Sequence, residues 1–162
     1  MAMAKRIHHV ATCAAALMVL GFAQNTTAAE FEAPLIACVS NGTAVGGVNS
    51  CGKIWKLKSG KAELKPGGKL KVTVKGLVLN DASVGKFNGT PDGVDAVAAA
   101  VICNGPTGAT VVGQLDPVPL SKKGDAKAEG KIGLPSNCVG PVVVLRERYE
   151  GKIGGWLAGT GM

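Results

Sequence analysis

Cysteine is the most reactive side chain in this sequence. Its five copies, at positions 13, 38, 51, 103 and 138, could serve as nucleophiles, metal ligands or disulfide halves. The stretch from Ala100 to Ala109, AVICNGPTGA, puts the question most sharply, because Cys103 ends an apolar run and opens a turn. A cysteine nucleophile wants a neighbouring base, and zinc wants imidazole or clustered thiolates. The only histidines are His8 and His9, and no two cysteines are spaced C-x-x-C.

Both histidines fall in a segment expected to leave the chain. Lys5 and Arg6 precede an apolar stretch from Val10 to Ala23, followed by small and polar residues up to Ala29. This is the layout of a secretory signal peptide over residues 1–29, with cleavage expected after Ala29 and Ala28 serving almost as well. The apolar stretch is shorter than the ~17–25 residues of a membrane-spanning helix, and no later stretch qualifies. Cys13 lies near the start of that stretch after Thr12, the wrong place for a lipoprotein cysteine. The expected product is a single secreted or periplasmic domain, residues 30–162, with no transmembrane segment.

That product keeps four cysteines, which an exported chain uses as disulfides, and four cysteines allow three pairings. Cys38 with Cys51 and Cys103 with Cys138 is preferred. The first pair encloses a short Gly/Asn-rich loop, and the second joins two strand-to-turn junctions. Without histidine, Ser-His-Asp and Cys-His chemistry is excluded. Ser83-Val84-Gly85-Lys86 matches S-x-x-K, but Gly85, Asn88, Gly89 and Pro91 make its surroundings a loop rather than a helix start. Asp92 with Asp95, or Glu147 with Glu150, could form an acid–base pair, yet each is expected on a turn or exposed strand end as a solvated charge. The expectation is a non-enzyme with no cofactor and no metal.

Lysine is the remaining functional signal. The chain carries 18 Lys and Arg against 11 Asp and Glu, a net charge of +7. Lys53, Lys56, Lys58, Lys61, Lys65, Lys69, Lys71 and Lys75 crowd a stretch whose one acid is Glu63. Lys56, Lys58, Lys61, Lys65, Lys69, Lys71 and Lys75 are the candidate anion-binding residues, facing wall polymer or lipid headgroups. A solubilising face with edge lysines that block strand-to-strand aggregation is the competing reading. Nucleic acid is not expected, because few aromatic residues are available for stacking and Trp55 and Trp156 fit a core better. The Asn-Gly-Thr sequons at Asn41 and Asn88 matter only in a glycosylating host.

The elements that position these residues are strands. Lys61–Lys65 and Lys69–Lys75 alternate polar and apolar about Pro66-Gly67-Gly68, which predicts a hairpin with Leu64, Leu70, Val72 and Val74 facing the core. In that register Lys65 stands opposite Lys69, Glu63 opposite Lys71, and Lys61 opposite Thr73. Further strands are predicted over 31–39, 94–103, 110–115, 126–134, 141–148 and 153–158, with 94–103 covered on both faces; its Ala-rich middle also fits a helix, and the flanking Pro91-Asp92-Gly93 and Asn104-Gly105-Pro106 turns favour strand. With 24 Gly and 8 Pro marking turns, the pattern predicts an all-β fold, a single disulfide-stabilised antiparallel β-sandwich. Such a sandwich could carry a small apolar ligand between its sheets.

The succession LKVTVKGLVL, AAVICNGP, PVPLSKKGDAKAEGKIGLPSNCVGPVVVL and GGWLAGTG resembles a group of small exported bacterial proteins of unknown function. The likeness covers roughly residues 53–161. It implies an all-β secreted domain, supports the Cys103–Cys138 pairing and brings no activity. More remotely, the chain resembles chordin-type (CHRD) extracellular modules through Gly76-Leu77, with AVIC standing where those modules carry two histidines. That likeness implies an immunoglobulin-like or CHRD-like sandwich and no metal role.

Overall fold

The structure, a computed structural model, describes residues 30–39, 44–91, 93–105 and 108–161. Residues 1–29, where a signal peptide is expected, and with them Cys13, as well as Asn41, Asp92 and Pro106, lie outside the described residues. The chain is all-β. In order come β1 (Phe31–Ala37), β2 (Trp55–Lys56), β3 (Ser59–Lys65), β4 (Lys69–Lys75), β5 (Val78–Leu79) and β6 (Val94–Gly105). They are followed by β7 (Gly108–Gln114), β8 (Val118–Pro119), β9 (Ala126–Lys131), β10 (Val139–Tyr149) and β11 (Lys152–Thr160). Among the described residues no helix is long and apolar enough to cross a membrane.

The β3–β4 hairpin forms as its alternation predicts. Lys65 pairs with Lys69, Glu63 with Lys71 and Lys61 with Thr73, and a single 3₁₀ turn over Pro66–Gly68 joins the strands. Alternation sends Leu64, Leu70, Val72 and Val74 inward, where all four are buried. β9 then adds to the free edge of β4, and β1 to that of β3.

The strands make one continuous nine-stranded sheet, ordered β7-β6-β10-β11-β1-β3-β4-β9, with β8 beside β7 on the same edge of β6. β1 joins its two halves. Its first four residues pair with β3 and its last three, Leu35 to Ala37, with β11. Pro34 sits at the changeover, where a residue without an N–H disturbs the ladder least. The sheet curls until its ends meet: Ile132, just after β9, lies against Gly113 of β7, and Leu115 lies against Gly130 of β9. One core cluster fills the interior and includes Trp55 and Trp156.

β6 is buried along both faces, from Ala96 through Cys103. One reason is the segment 44–51, which lies across the sheet. Gly46 rests on the Ile102 side chain, Ser50 bridges Trp156, and the Trp156 N–H donates to the Asn49 carbonyl. β9 is shorter than its predicted extent to Leu134. The Ile132 N–H still donates to the Gly68 carbonyl at 2.8 Å, one step beyond the Lys69–Lys131 pair, but Gly68 has φ 78° and belongs to the turn, so β9 runs out of extended partner at Lys131. The ribbon β2–β5 and the short β8 carry too few residues to show any alternation.

Candidate functional site

The cysteines resolve first. Cys38 bonds Cys51 and Cys103 bonds Cys138, so the preferred pairing is the one present. Cys103 closes the inner end of β6, and its partner precedes β10, which lies next to β6. Cys38–Cys51 ties down the segment that covers Ile102 and Trp156. All four cysteines in the described residues are disulfide-bonded.

The residues considered for acid–base work are dispersed. The Ser83 hydroxyl donates to Asp81 at 2.6 Å, while Lys86 lies over the Phe87 ring, 5.3 Å from its centre. Asp95 is gripped by the Arg148 guanidinium, which holds its carboxyl below the usual aspartate range. Glu150 occupies the β10–β11 turn with φ 49°. Glu147 corrects the expectation of an exposed strand end. It lies within β10, half-buried, and accepts the Gly155 N–H at 3.3 Å. The bend in β10 responsible is a register shift between Arg146 and Arg148, where the Arg146 side chain folds back onto the Gly154 carbonyl.

Burial pushes the Glu147 carboxyl up from its ordinary value. Its folded form therefore keeps a proton to higher pH than the unfolded chain does. Stability from this group is greatest below the ordinary glutamate range and falls as pH rises through the raised value. Asp95 works in the opposite sense, losing its contribution as pH falls through its lowered value. Glu147→Gln is expected to raise the denaturation midpoint at neutral pH and to flatten its decline above the glutamate range. An identical pH profile for variant and parent would show that the carboxyl is not strained by burial.

The candidate anion-binding lysines divide into two groups. Lys61, Lys65, Lys69, Lys71 and Lys75 share the outward face of β3 and β4, and β9 extends that face with Lys127, Glu129 and Lys131. Three cross-strand rows result. Lys65, Lys69 and Lys131 stand in register across three strands; Glu63, Lys71 and Glu129 form the next row; Lys61, Thr73 and Lys127 form the third. The second row largely neutralises itself and draws on the third. Lys61 reaches Glu32 at 2.8 Å and Glu63 at 3.1 Å, Lys71 reaches Glu63 at 3.7 Å, and Lys127 reaches Glu129 at 2.8 Å. Lys61 holds the Glu63 carboxyl below its usual range.

The first row is different. Lys65, Lys69 and Lys131 make no ion pair among the described residues, although like charges directly opposite one another are unfavourable. They line one end of a shallow open groove together with Lys71, Glu63 and Glu129. Lys56 and Lys58 lie elsewhere, beside Lys122 and Lys123 in a second groove. Sequence reasoning missed Lys127, Lys131, Glu129 and Glu32 because only tertiary strand order brings β9 and β1 to this hairpin. The alternating AKAEGK of β9 was the available signal. Among the described residues no cluster of three His, Cys, Asp or Glu could hold a metal.

This is an all-β, doubly disulfide-bonded domain with a charge-patterned sheet face. In comparisons with known proteins the chain matches no family model, no curated protein and no solved structure.

Proposed function

We propose that this chain is a non-enzymatic, exported envelope domain that binds anionic envelope polymer through its lysine-rich sheet face. The observation carrying the reading is the row Lys65, Lys69 and Lys131, three ammonium groups in register with no carboxylate paired to them among the described residues. A polymer with regularly spaced negative charges matches a row that spans three strands, each roughly 4.8 Å from the next. Export is supported by the leader pattern at residues 1–29 and by two disulfides, which persist in oxidising compartments.

In this reading the curled sheet is an antiparallel β-sandwich, immunoglobulin-like or CHRD-like, with β1 passing between its layers. The alternative of a small-ligand carrier draws less support. Leu64, Leu70, Val97, Val101, Leu145 and Leu157, all fully buried, occupy the space between the layers.

The test is retention of the protein spanning residues 30–162 on an immobilised anionic polysaccharide. Retention is expected to fall steeply as salt rises from about 0.02 M to about 0.5 M, where the screening length drops to a few ångströms. Lys65→Gln, Lys69→Gln and Lys131→Gln together should weaken low-salt binding by about tenfold. Absent or salt-independent binding, or binding untouched by the triple substitution, would overturn the proposal.

A further inference from the structure

The geometry points to a second and separate anion site, a pocket for a phosphate or diphosphate group in the groove formed by Lys56, Lys58, Lys122 and Lys123. This groove is open and spans ~440 Å³, and no carboxylate is among the described residues that line it. Its four lysines come from two segments more than sixty residues apart in sequence, and none of them forms an ion pair among the described residues. Four like charges converging on one concavity repel each other until an anion enters.

The convergence is built by backbone contacts. Gly124, at φ 77°, fits tightly under the Leu77 peptide, and any Cβ there would overlap the Leu77 backbone. The Leu77 N–H donates to the Gly124 carbonyl at 2.9 Å, and the Gly76 N–H donates to Asp125 Oδ1 at 2.9 Å. Within the turn, the Asp125 and Lys123 N–H groups both donate to Ser121 Oγ, at 3.0 and 3.3 Å. The one carboxylate of the turn is therefore engaged with the Gly76 amide. On the other side Gly76 lies against Lys58, whose N–H donates to the Lys75 carbonyl at 3.0 Å. The frame that holds the lysines is therefore set before any ligand arrives.

The charge count selects the ligand class. A lysine ammonium is a compact, strongly hydrated point charge with three donors, suited to phosphate oxygens rather than to planar bidentate pairing. Four of them match a group bearing two or more negative charges, and a single carboxylate would leave most of the cationic charge uncompensated. The phosphate could be free or could end an envelope polymer or lipid headgroup; the chemistry of recognition is the same.

Amide chemical-shift titration of the protein spanning residues 30–162 tests the site. Diphosphate, inorganic phosphate, glycerol phosphate and acetate are the probes. Saturable shifts at Gly76, Gly89, Lys122 and Lys123 are expected with the phosphorylated probes, and acetate should bind far more weakly. Tighter binding of glycerol phosphate than of inorganic phosphate would identify an esterified source, and the reverse a free one; either order supports the site. Lys122→Gln with Lys123→Gln, both on an exposed turn, should weaken diphosphate binding by about tenfold. The Lys65/Lys69/Lys131 glutamine variant should leave diphosphate binding intact, so the two sites stand or fall separately. Acetate binding equal to diphosphate, shifts centred on the sheet face, or no effect of the turn substitutions would overturn the assignment.

Discussion

Alanine at Gly68 is expected to destabilise the fold by roughly 3 kcal/mol or more, against about 1–2 kcal/mol for alanine at the adjacent Gly67. Both glycines have positive φ, 75° at Gly67 and 78° at Gly68, so both substitutions carry the left-handed backbone penalty. Only Gly68 adds a collision. A Cβ there overlaps the carbonyl oxygen of Ile132, whereas Gly67 faces open space. The obstacle is backbone, and it cannot swing aside, because the Ile132 N–H is itself bonded to the Gly68 carbonyl. Moving it would also lift the Ile132 side chain from Gly113 on the far edge of the sheet. Denaturant midpoints of the two variants measure the difference; equal losses would mean that the turn yields without disturbing β9.

Removing Cys103–Cys138 by paired serine substitutions is expected to lower stability by about 4 kcal/mol, since that bond closes the longer loop under the chain-entropy account. The sequence separations are 35 residues for this bond and 13 for Cys38–Cys51, whose loss should cost about 3 kcal/mol on the same basis. The shorter loop carries a spectroscopic marker as well. It holds Ser50 and Asn49 against Trp156, so Cys38→Ser with Cys51→Ser should shift tryptophan emission to longer wavelength in the still-folded protein. Equilibrium unfolding with and without reductant checks both values. An unchanged midpoint for the Cys103/Cys138 variant would sink the first expectation, and unchanged emission the second.

The β3–β4 hairpin was legible down to its register because two independent signals agreed there. Strict alternation placed Leu64 and Val72 on one face, and Pro66-Gly67-Gly68 set the length of the turn. The alanine-rich β6 was readable as a strand only through the turn residues on either side. The disulfides followed once the histidines were assigned to the leader. What escaped was set by contacts distant in sequence. Two-residue strands such as β2 and β5 carry no periodicity, and β9 stops at Lys131 because its distant partner β4 begins only at Lys69. One continuous sheet, rather than two separate ones, depends on β1 changing partners at Pro34.

The candidate site was half legible for the same reason. A dense lysine run reads as one basic patch along the sequence, but strand order splits it. β9 and β1 bring Glu129, Lys127 and Glu32 alongside the hairpin and neutralise its middle. Lys131 completes the one row left uncompensated, and Lys56 and Lys58 turn away to meet Lys122 and Lys123. Charge density in sequence marked the region; the pairing of strands decided which charges act together.

The changeover in β1 also governs the order of events when the chain folds. β1 is the first described strand, yet its partner β11 is the last, so Leu35 meets Thr160 only when nearly all the intervening chain is available. A contact spanning that much sequence carries a large closure entropy and places the domain among slow, non-local folders. The β3–β4 hairpin can form early, but the two halves of the sheet cannot be joined until β11 has emerged. A partly made chain thus holds an open half-sheet, and the domain locks shut only once its last strand is in place.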